Sequence, residues 1–180
     1  MNLLLLPMKK FLKIVILLLL CTPLKAQDKN VFDVARKGTL SEIEAIYKQN
    51  PELINAVNDN KATPLILACY RNNEVVALYL SDRVSNINYN SGMGTALMAA
   101  IMSGNKAIIE KLISKKADLD QQDTQGKTAL IYAAFNNNLE IAQLLVKAGA
   151  NSKIADNEKR TALDYAKFNK NTQLIILLDK

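Results

Sequence analysis

Histidine is absent from all 180 residues, and that absence excludes the most. Without an imidazole there is no Ser-His-Asp or Cys-His arrangement and no His-based zinc site. Nor is there a side chain whose ordinary pKa suits general-base work near neutral pH. A metal ion would have to rely on carboxylates, and the close pair Asp118 and Asp120 falls in a polar stretch where Asp serves as a turn former. Paired carboxylates could do acid/base work only if burial raised one pKa, whereas the acids here are expected on turns and solvated helix faces. The six glycines are scattered, and Gly92-Met93-Gly94 leads into no Gly-Lys-Ser/Thr, so a phosphate-cradling loop is missing too. These gaps argue against an enzyme, and neither a cofactor nor a metal is expected.

Tryptophan is also missing and aromatics make up only 6% of the chain, while Ala, Leu, Ile and Asn recur. That composition suits thin, closely packed helices in a single domain. There are two cysteines. Cys21 ends an apolar run near the start, so a processed chain keeps only Cys69 and can form no internal disulfide. Cys69 is expected to be a small buried hydrophobe rather than a reactive thiol. Basic residues exceed acidic ones by six overall, but Lys9, Lys10, Lys13 and Lys25 precede residue 27. Without them 19 basic residues face 17 acidic ones, a balance of +2 that gives no footprint for nucleic acid.

The first 26 residues read as a secretory signal. Met8, Lys9, Lys10 and Lys13 form a positive start, residues 14–21 are unbroken apolar, and Leu24-Lys25-Ala26 ends in a small residue. The apolar run is shorter than the ~20 residues a spanning helix needs, so no membrane span is expected after cleavage. Because Met1 to Pro7 precede the charged cluster, Met8 is a second candidate start. Leu18-Leu19-Leu20-Cys21 also resembles a bacterial lipoprotein box, in which Cys21 would be acylated. Leu20 departs from it, standing where a small residue is usual. The expected location is the periplasm, with secretion or lipid anchoring at Cys21 as alternatives.

The remainder repeats itself. Thr63-Pro64-Leu65, Thr95-Ala96-Leu97, Thr128-Ala129-Leu130 and Thr161-Ala162-Leu163 recur at intervals of 32, 33 and 33 residues. Five positions after each Thr stands Ala68, Ala100, Ala133 or Ala166, and five before it Asn58, Asn90, Asp123 or Asp156. Thr is a good N-cap and Pro64 fits the first helical position, so a helix is predicted to start at each Thr. The small residues let these inner helices approach closely, and Ile141, Leu144 and Leu145 give the following outer helix an apolar stripe. Gly38, Gly104, Asn72-Asn73 and Asn136-Asn137-Asn138 fall between paired helices, where a left-handed residue is expected. Ile87 and Leu119 are expected to tuck under the hairpins.

These residues resemble the ankyrin-repeat family, and the unit from Asp123 through Gly126, Thr128, Ala133, Ala134, Leu145, Gly149 and Asn151 matches its pattern best. A divergent first unit aligns through Ala35, Gly38, Ile43 and Ile46. The resemblance implies an all-α solenoid of about five helix-turn-helix repeats joined by β-hairpin-like loops, over residues 29–57, 58–89, 90–122, 123–155 and 156–180. The chain departs from the family at the His three positions after Thr, replaced by Ile66, Met98, Ile131 and Asp164. Apolar packing is therefore expected to replace the usual side-chain link between repeats. Lys167 suits a solvent-facing end unit, and apolar residues 174–178 are read as core contact rather than a dimer surface.

The resemblance also implies a partner-binding concave face formed by hairpin tips and the exposed side of the inner helices. Carried over residue by residue, the hairpin positions are Asn60, Ala62, Gly92, Gly94, Gln125, Lys127, Glu158 and Arg160. The helical positions are Arg36, Lys37, Tyr70, Arg71, Met102, Ser103, Phe135, Asn136, Phe168 and Asn169. Tyr70, Met102, Phe135 and Phe168 share one register, seven after each Thr, in a chain with ten Phe and Tyr residues. They are either an interface ladder or core packed against neighbouring repeats. The expected function is a non-catalytic, monomeric module that binds an unidentified protein partner outside the cytoplasm. The alternative is a structural or oligomerisation element of the envelope that uses the apolar final helix.

Overall fold

The computed structural model describes residues 30–179. The leader, both candidate starts and Cys21 lie outside the described residues. Among the described residues ten α-helices follow one another in pairs. The first pair is α1 (Val31–Lys37) with α2 (Leu40–Gln49), the second α3 (Pro64–Tyr70) with α4 (Glu74–Ser81), and the third α5 (Ala96–Ser103) with α6 (Lys106–Ser114). The fourth is α7 (Ala129–Phe135) with α8 (Leu139–Lys147), and the fifth α9 (Ala162–Phe168) with α10 (Thr172–Leu178). A short 3-10 turn, Pro51–Asn55, follows α2. The odd-numbered helices form an inner row in which each packs on the next; behind them α2 packs on α4, α4 on α6, and α8 on α10.

Each inner helix from α3 onward starts where its threonine predicts. The hydroxyl oxygens of Thr63, Thr95, Thr128 and Thr161 accept from the backbone N–H groups of Ile66, Met98, Ile131 and Asp164 at 3.3–3.4 Å. Each cap occupies one of the orphan donors of a helix start, an interaction typically worth ~1 kcal/mol. Pro64 is the first residue of α3, and Thr161 with Asp164 completes a reciprocal capping box.

The alanine register is fully buried: Ala68, Ala100, Ala133 and Ala166 have no exposed surface. Leu65, Leu97 and Leu130, two after the first three of these threonines, are buried beside them, and Leu163 in the last repeat is half-buried. Ile108, Ile109 and Leu112 of α6, and Ile141 and Leu145 of α8, close the other side, so one apolar core runs from Val31 to Leu178. Leu144, Ile87 and Leu119 are half-buried against it. In α10, Leu174 and Leu178 are buried and Ile175 and Leu177 pack on the core, which leaves Ile176, 63% exposed, as the only large apolar side chain of that helix in solvent.

The turn inside each pair has its own register. Nine positions after each capping Thr, Asn72, Gly104, Asn137 and Lys170 adopt positive φ of 58°, 73°, 56° and 55°. Gly38 is different. Its φ of −81° is ordinary, and the left-handed conformation expected of it is not there. Glycine is required at that point because a Cβ would lie 2.7 Å from the Cα and carbonyl oxygen of Val34, in the last turn of α1.

The link between repeats also departs from expectation, being made by asparagine rather than by apolar packing alone. Asn73 Nδ2 donates to the carbonyls of Val34, Ala35 and Gly38 in the preceding repeat, and Asn169 Nδ2 to those of Ala134 and Phe135. Asn105 Nδ2 donates to Asn72 Oδ1 at 2.6 Å and Asn171 Nδ2 to Asn137 Oδ1 at 2.7 Å. The bonds of Asn73 and Asn169 add donors to backbone carbonyls at or just past the ends of α1 and α7, and those of Asn105 and Asn171 join side-chain amides of successive turns.

Candidate partner-binding surface

The hairpins that carry the candidate surface are built on one residue each. Asn58, Asp123 and Asp156 accept through Oδ1 from the backbone N–H groups two and four positions on, which folds each tip over its own side chain. Asn90 makes only the nearer bond, to Gly92, and Ser91 closes that hairpin onto Gly94. Successive tips are joined as well. Thr124 N–H donates to the Gly92 carbonyl and Asn157 N–H to the Gln125 carbonyl, at 2.9 and 3.0 Å. Gly126 permits the second approach, since its φ is +76° and a Cβ there would sit 2.7 Å from the Asn157 nitrogen.

Beneath the last two hairpins a tyrosine hydroxyl completes the turn acid. Tyr132 donates to Asp123 at 2.7 Å and Tyr165 to Asp156 at 2.6 Å. Asp156 is buried, an exception to the expectation that the acids lie on turns and solvated faces. Burial pushes its carboxyl upward, but the Tyr165 hydroxyl, two backbone N–H groups and the Arg160 charge outweigh that and hold it below the ordinary range. It is thus kept ionised, the opposite of what a buried general acid needs. Arg160 is half-buried, its guanidinium 3.3 Å from Asp156, 2.8 Å from Glu158 and over the Tyr165 ring.

The predicted ladder is on the surface. Tyr70, Met102, Phe135 and Phe168, at the C-terminal ends of α3, α5, α7 and α9, are 58%, 46%, 51% and 84% exposed. Packing makes some demand on one of them: Phe135 meets the Tyr165 ring edge-on at 5.7 Å while half of it stays in solvent. Asn136 Nδ2 approaches Met102 Sδ at 3.8 Å, which brings adjacent rungs together. Two cations lie against the ladder, Arg71 5.8 Å from the Tyr70 ring centre and Lys127 Nζ 5.3 Å from that of Phe135.

The other carried-over positions divide. Asn60, Arg71, Gln125, Asn136, Glu158 and Lys37 are exposed, and Lys127 and Gly92 half-buried. Ala62 and Gly94 are buried, so neither offers the surface expected of it; both lie beneath their hairpin tips, against the cap of the next helix. Asn169 uses its amide on the preceding repeat, Ser103 bonds the Ala100 carbonyl, and Arg36 pairs with Asp33. The sequence reading overlooked Met93. It stands at a hairpin tip, 82% exposed, and an apolar residue between two turn glycines was the signal for it.

Asp118 and Asp120 are accounted for by turns: Asp118 accepts from Asp120 N–H, and Asp120 from Asn151 N–H of the next repeat. Among the described residues no cluster of His, Cys, Asp and Glu could hold a metal ion, and no helix is long and apolar enough to cross a membrane. Cys69 is completely buried, and burial pushes its thiol far up despite a backbone hydrogen bond that works the other way. Such a thiol is a poor nucleophile.

Stacked helix pairs, a threonine-capped inner row and hairpins projecting beside it define a helical-repeat solenoid. A sequence profile described as ankyrin repeats (3 copies) matches residues 31–123 and again residues 97–180, and the chain belongs to the ankyrin-repeat family. It is similar to the ankyrin repeat and SAM domain-containing protein 6 of Rattus norvegicus, 29% identical over 92 residues, and to that of Mus musculus, 28% identical over 92 residues. Each match covers 50% of this chain but only 10% of the relative's length. Ankyrin repeats generally mediate protein–protein interaction and are typically non-enzymatic.

Proposed function

We propose that this chain is an exported, non-catalytic binding module that captures a partner protein on the face bearing the Tyr70, Met102, Phe135 and Phe168 ladder. One observation carries the reading. Four large side chains at one register remain about half or more in solvent, although the same helices bury their alanine register completely and, from α3 to α7, their leucine register too. Aromatic side chains such as the three here supply contact area for a partner at little cost in rotamer freedom, and the flexible Met102 adapts to fill gaps between them. The neighbouring exposed residues Arg71, Asn136, Asn60, Gln125 and Glu158, with half-buried Lys127, form the polar surround. Arg160 belongs there chiefly as a support for the last hairpin.

Export rests on the leader. Cleavage after Ala26 leaves Gln27 first, and N-terminal sequencing of the exported form checks this; a modified Cys21 at the terminus would establish lipid anchoring instead. The module is proposed to act as a monomer in the periplasm. An oligomerisation role through α10 has less to work with, because its apolar residues are largely turned into the core. Light scattering on the purified chain, with a pull-down from the envelope fraction, tests the function. A monomer that retains a specific protein supports it; a stable homodimer broken by Ile176→Lys and capturing nothing overturns it.

A further inference from the structure

Resting on that reading, we infer that the partner segment seated on this face is acidic, with carboxylates interleaved among apolar side chains. The carboxylates here are largely committed within the fold. Asp123 and Asp156 are turned onto their own hairpin backbones and tyrosine hydroxyls, Asp164 onto the cap of Thr161, and Asp33 onto Arg36. Glu158 pairs with Arg160 at 2.8 Å. Of the acids on the hairpin tips and inner helices, that leaves Asp59 directed to solvent with no such bond.

Apart from Arg36 and Arg160, the cations of this face are not committed to a carboxylate. Lys61 and Lys159 occupy the same hairpin register, two before the capping Thr, and both are exposed with positive φ of 58° and 62°. Lys127 follows on the hairpin between α6 and α7, bonded only to the neutral Gln125 side chain and resting against Phe135. At the foot of the inner helices, Arg71 lies beside Tyr70, and Lys167 and Lys170 flank Phe168 in sequence, exposed. Positive charge thus stands at the hairpin tips beside three of the rungs and at the helix foot beside two of them, Met102 alone having neither. Two of the rungs carry a cation at the ring itself, so a carboxylate next to an apolar side chain can meet both at once. Charges on such a rim govern specificity and association rate more than depth of binding, and salt weakens them.

The test uses labelled short peptides and fluorescence anisotropy on the full chain. One peptide alternates Glu with Leu, a second has Lys in place of every Glu, and a third has Ser in place of every Leu. The Glu–Leu peptide should bind at least tenfold tighter than either of the others at low salt, and its advantage over the Lys–Leu peptide should shrink as salt is added. Lys61→Glu, Arg71→Glu and Lys127→Glu together should reverse that preference without lowering the melting temperature. Equal binding of the Glu–Leu and Lys–Leu peptides, or no binding of the Glu–Leu peptide, overturns the inference. The ladder reading fails separately: if Tyr70→Ser, Phe135→Ser and Phe168→Ser leave capture of the envelope partner intact, the face itself is wrong. If they abolish capture while the peptides show no charge preference, only the acidic character is.

Discussion

The hydroxyl of Tyr165 donates to the buried carboxylate of Asp156 across 2.6 Å, tying an inner helix to the hairpin that precedes it. Burial first, and then this bond, push the Tyr165 phenol up to about 12. A phenol whose folded pKa lies above its ordinary value of about 10 stabilises the fold in its protonated form. The contribution is complete below about pH 10 and is lost as the pH rises through about 12. Tyr165→Phe should therefore lower stability by roughly 1 kcal/mol at neutral pH, with the gap to the parent narrowing over that alkaline range. Denaturant unfolding at a series of pH values measures it, and a gap independent of pH would show that folding does not raise the Tyr165 pKa.

At the opposite end of the pH scale the group to watch is Asp82, which accepts from Lys111 at 2.8 Å and Lys115 at 2.6 Å and so joins the outer faces of two repeats. Those two lysines hold its carboxyl down at about 2. A depressed carboxylate stabilises above its ordinary pKa of about 3.9 and loses that contribution as the pH falls through its folded value. Because the side chain is more than a third exposed, screening keeps the effect below about 1 kcal/mol. Asp82→Asn should be mildly destabilising at neutral pH and in low salt, and indistinguishable from the parent near pH 2. A difference that survives at pH 2 or in concentrated salt would have another origin.

Asn73 and Asn105 share a register ten after the capping Thr, yet they act differently. Asn105 caps its own helix by accepting from Ile108 N–H, whereas Asn73 makes no such cap and gives its amide to the end of α1. Asn73→Ala should accordingly loosen the first repeat selectively. Hydrogen exchange is expected to accelerate in residues 31–49 while α7 and α8 keep their protection. Uniform acceleration along the whole chain would mean that the first repeat is not held by this contact.

The contrast explains which parts of the molecule could be read beforehand. Thr caps, turn acids and the alanine register are local: a Thr at 128 and an N–H at 131 meet in any helix that starts there, so spacing alone exposes them. The asparagine links are different, since Asn73 reaches carbonyls 35 to 39 positions away and its partners are fixed only by how two repeats stack. A recurring Asn at one register was visible, but the same pattern serves as a cap in one repeat and as a strut in another. Gly38 misled for a related reason. A glycine at a helix end suggests a left-handed turn, while the actual demand is the packing of its backbone on Val34. Among the candidate surface positions, exposure followed register well for the ladder. It failed for Ala62 and Gly94, one position from the capping Thr, where the chain is drawn into the fold.

On the proposed reading the ladder serves a partner and not the core. Tyr70→Ser, Phe135→Ser and Phe168→Ser combined separate the two roles through thermal melts and partner capture on the same protein. The three rings are already 58%, 51% and 84% exposed, so their loss should move the melting temperature little, apart from the edge contact of Phe135 with Tyr165. Capture should fall at least tenfold, which corresponds to about 1.4 kcal/mol. A triple variant that melts as the parent does and still holds its partner would rule out a binding role for the ladder. One that fails to fold would assign the rings to the core instead, since removing side chains from a core costs several kcal/mol, of the order of 3–5 for a single buried Phe.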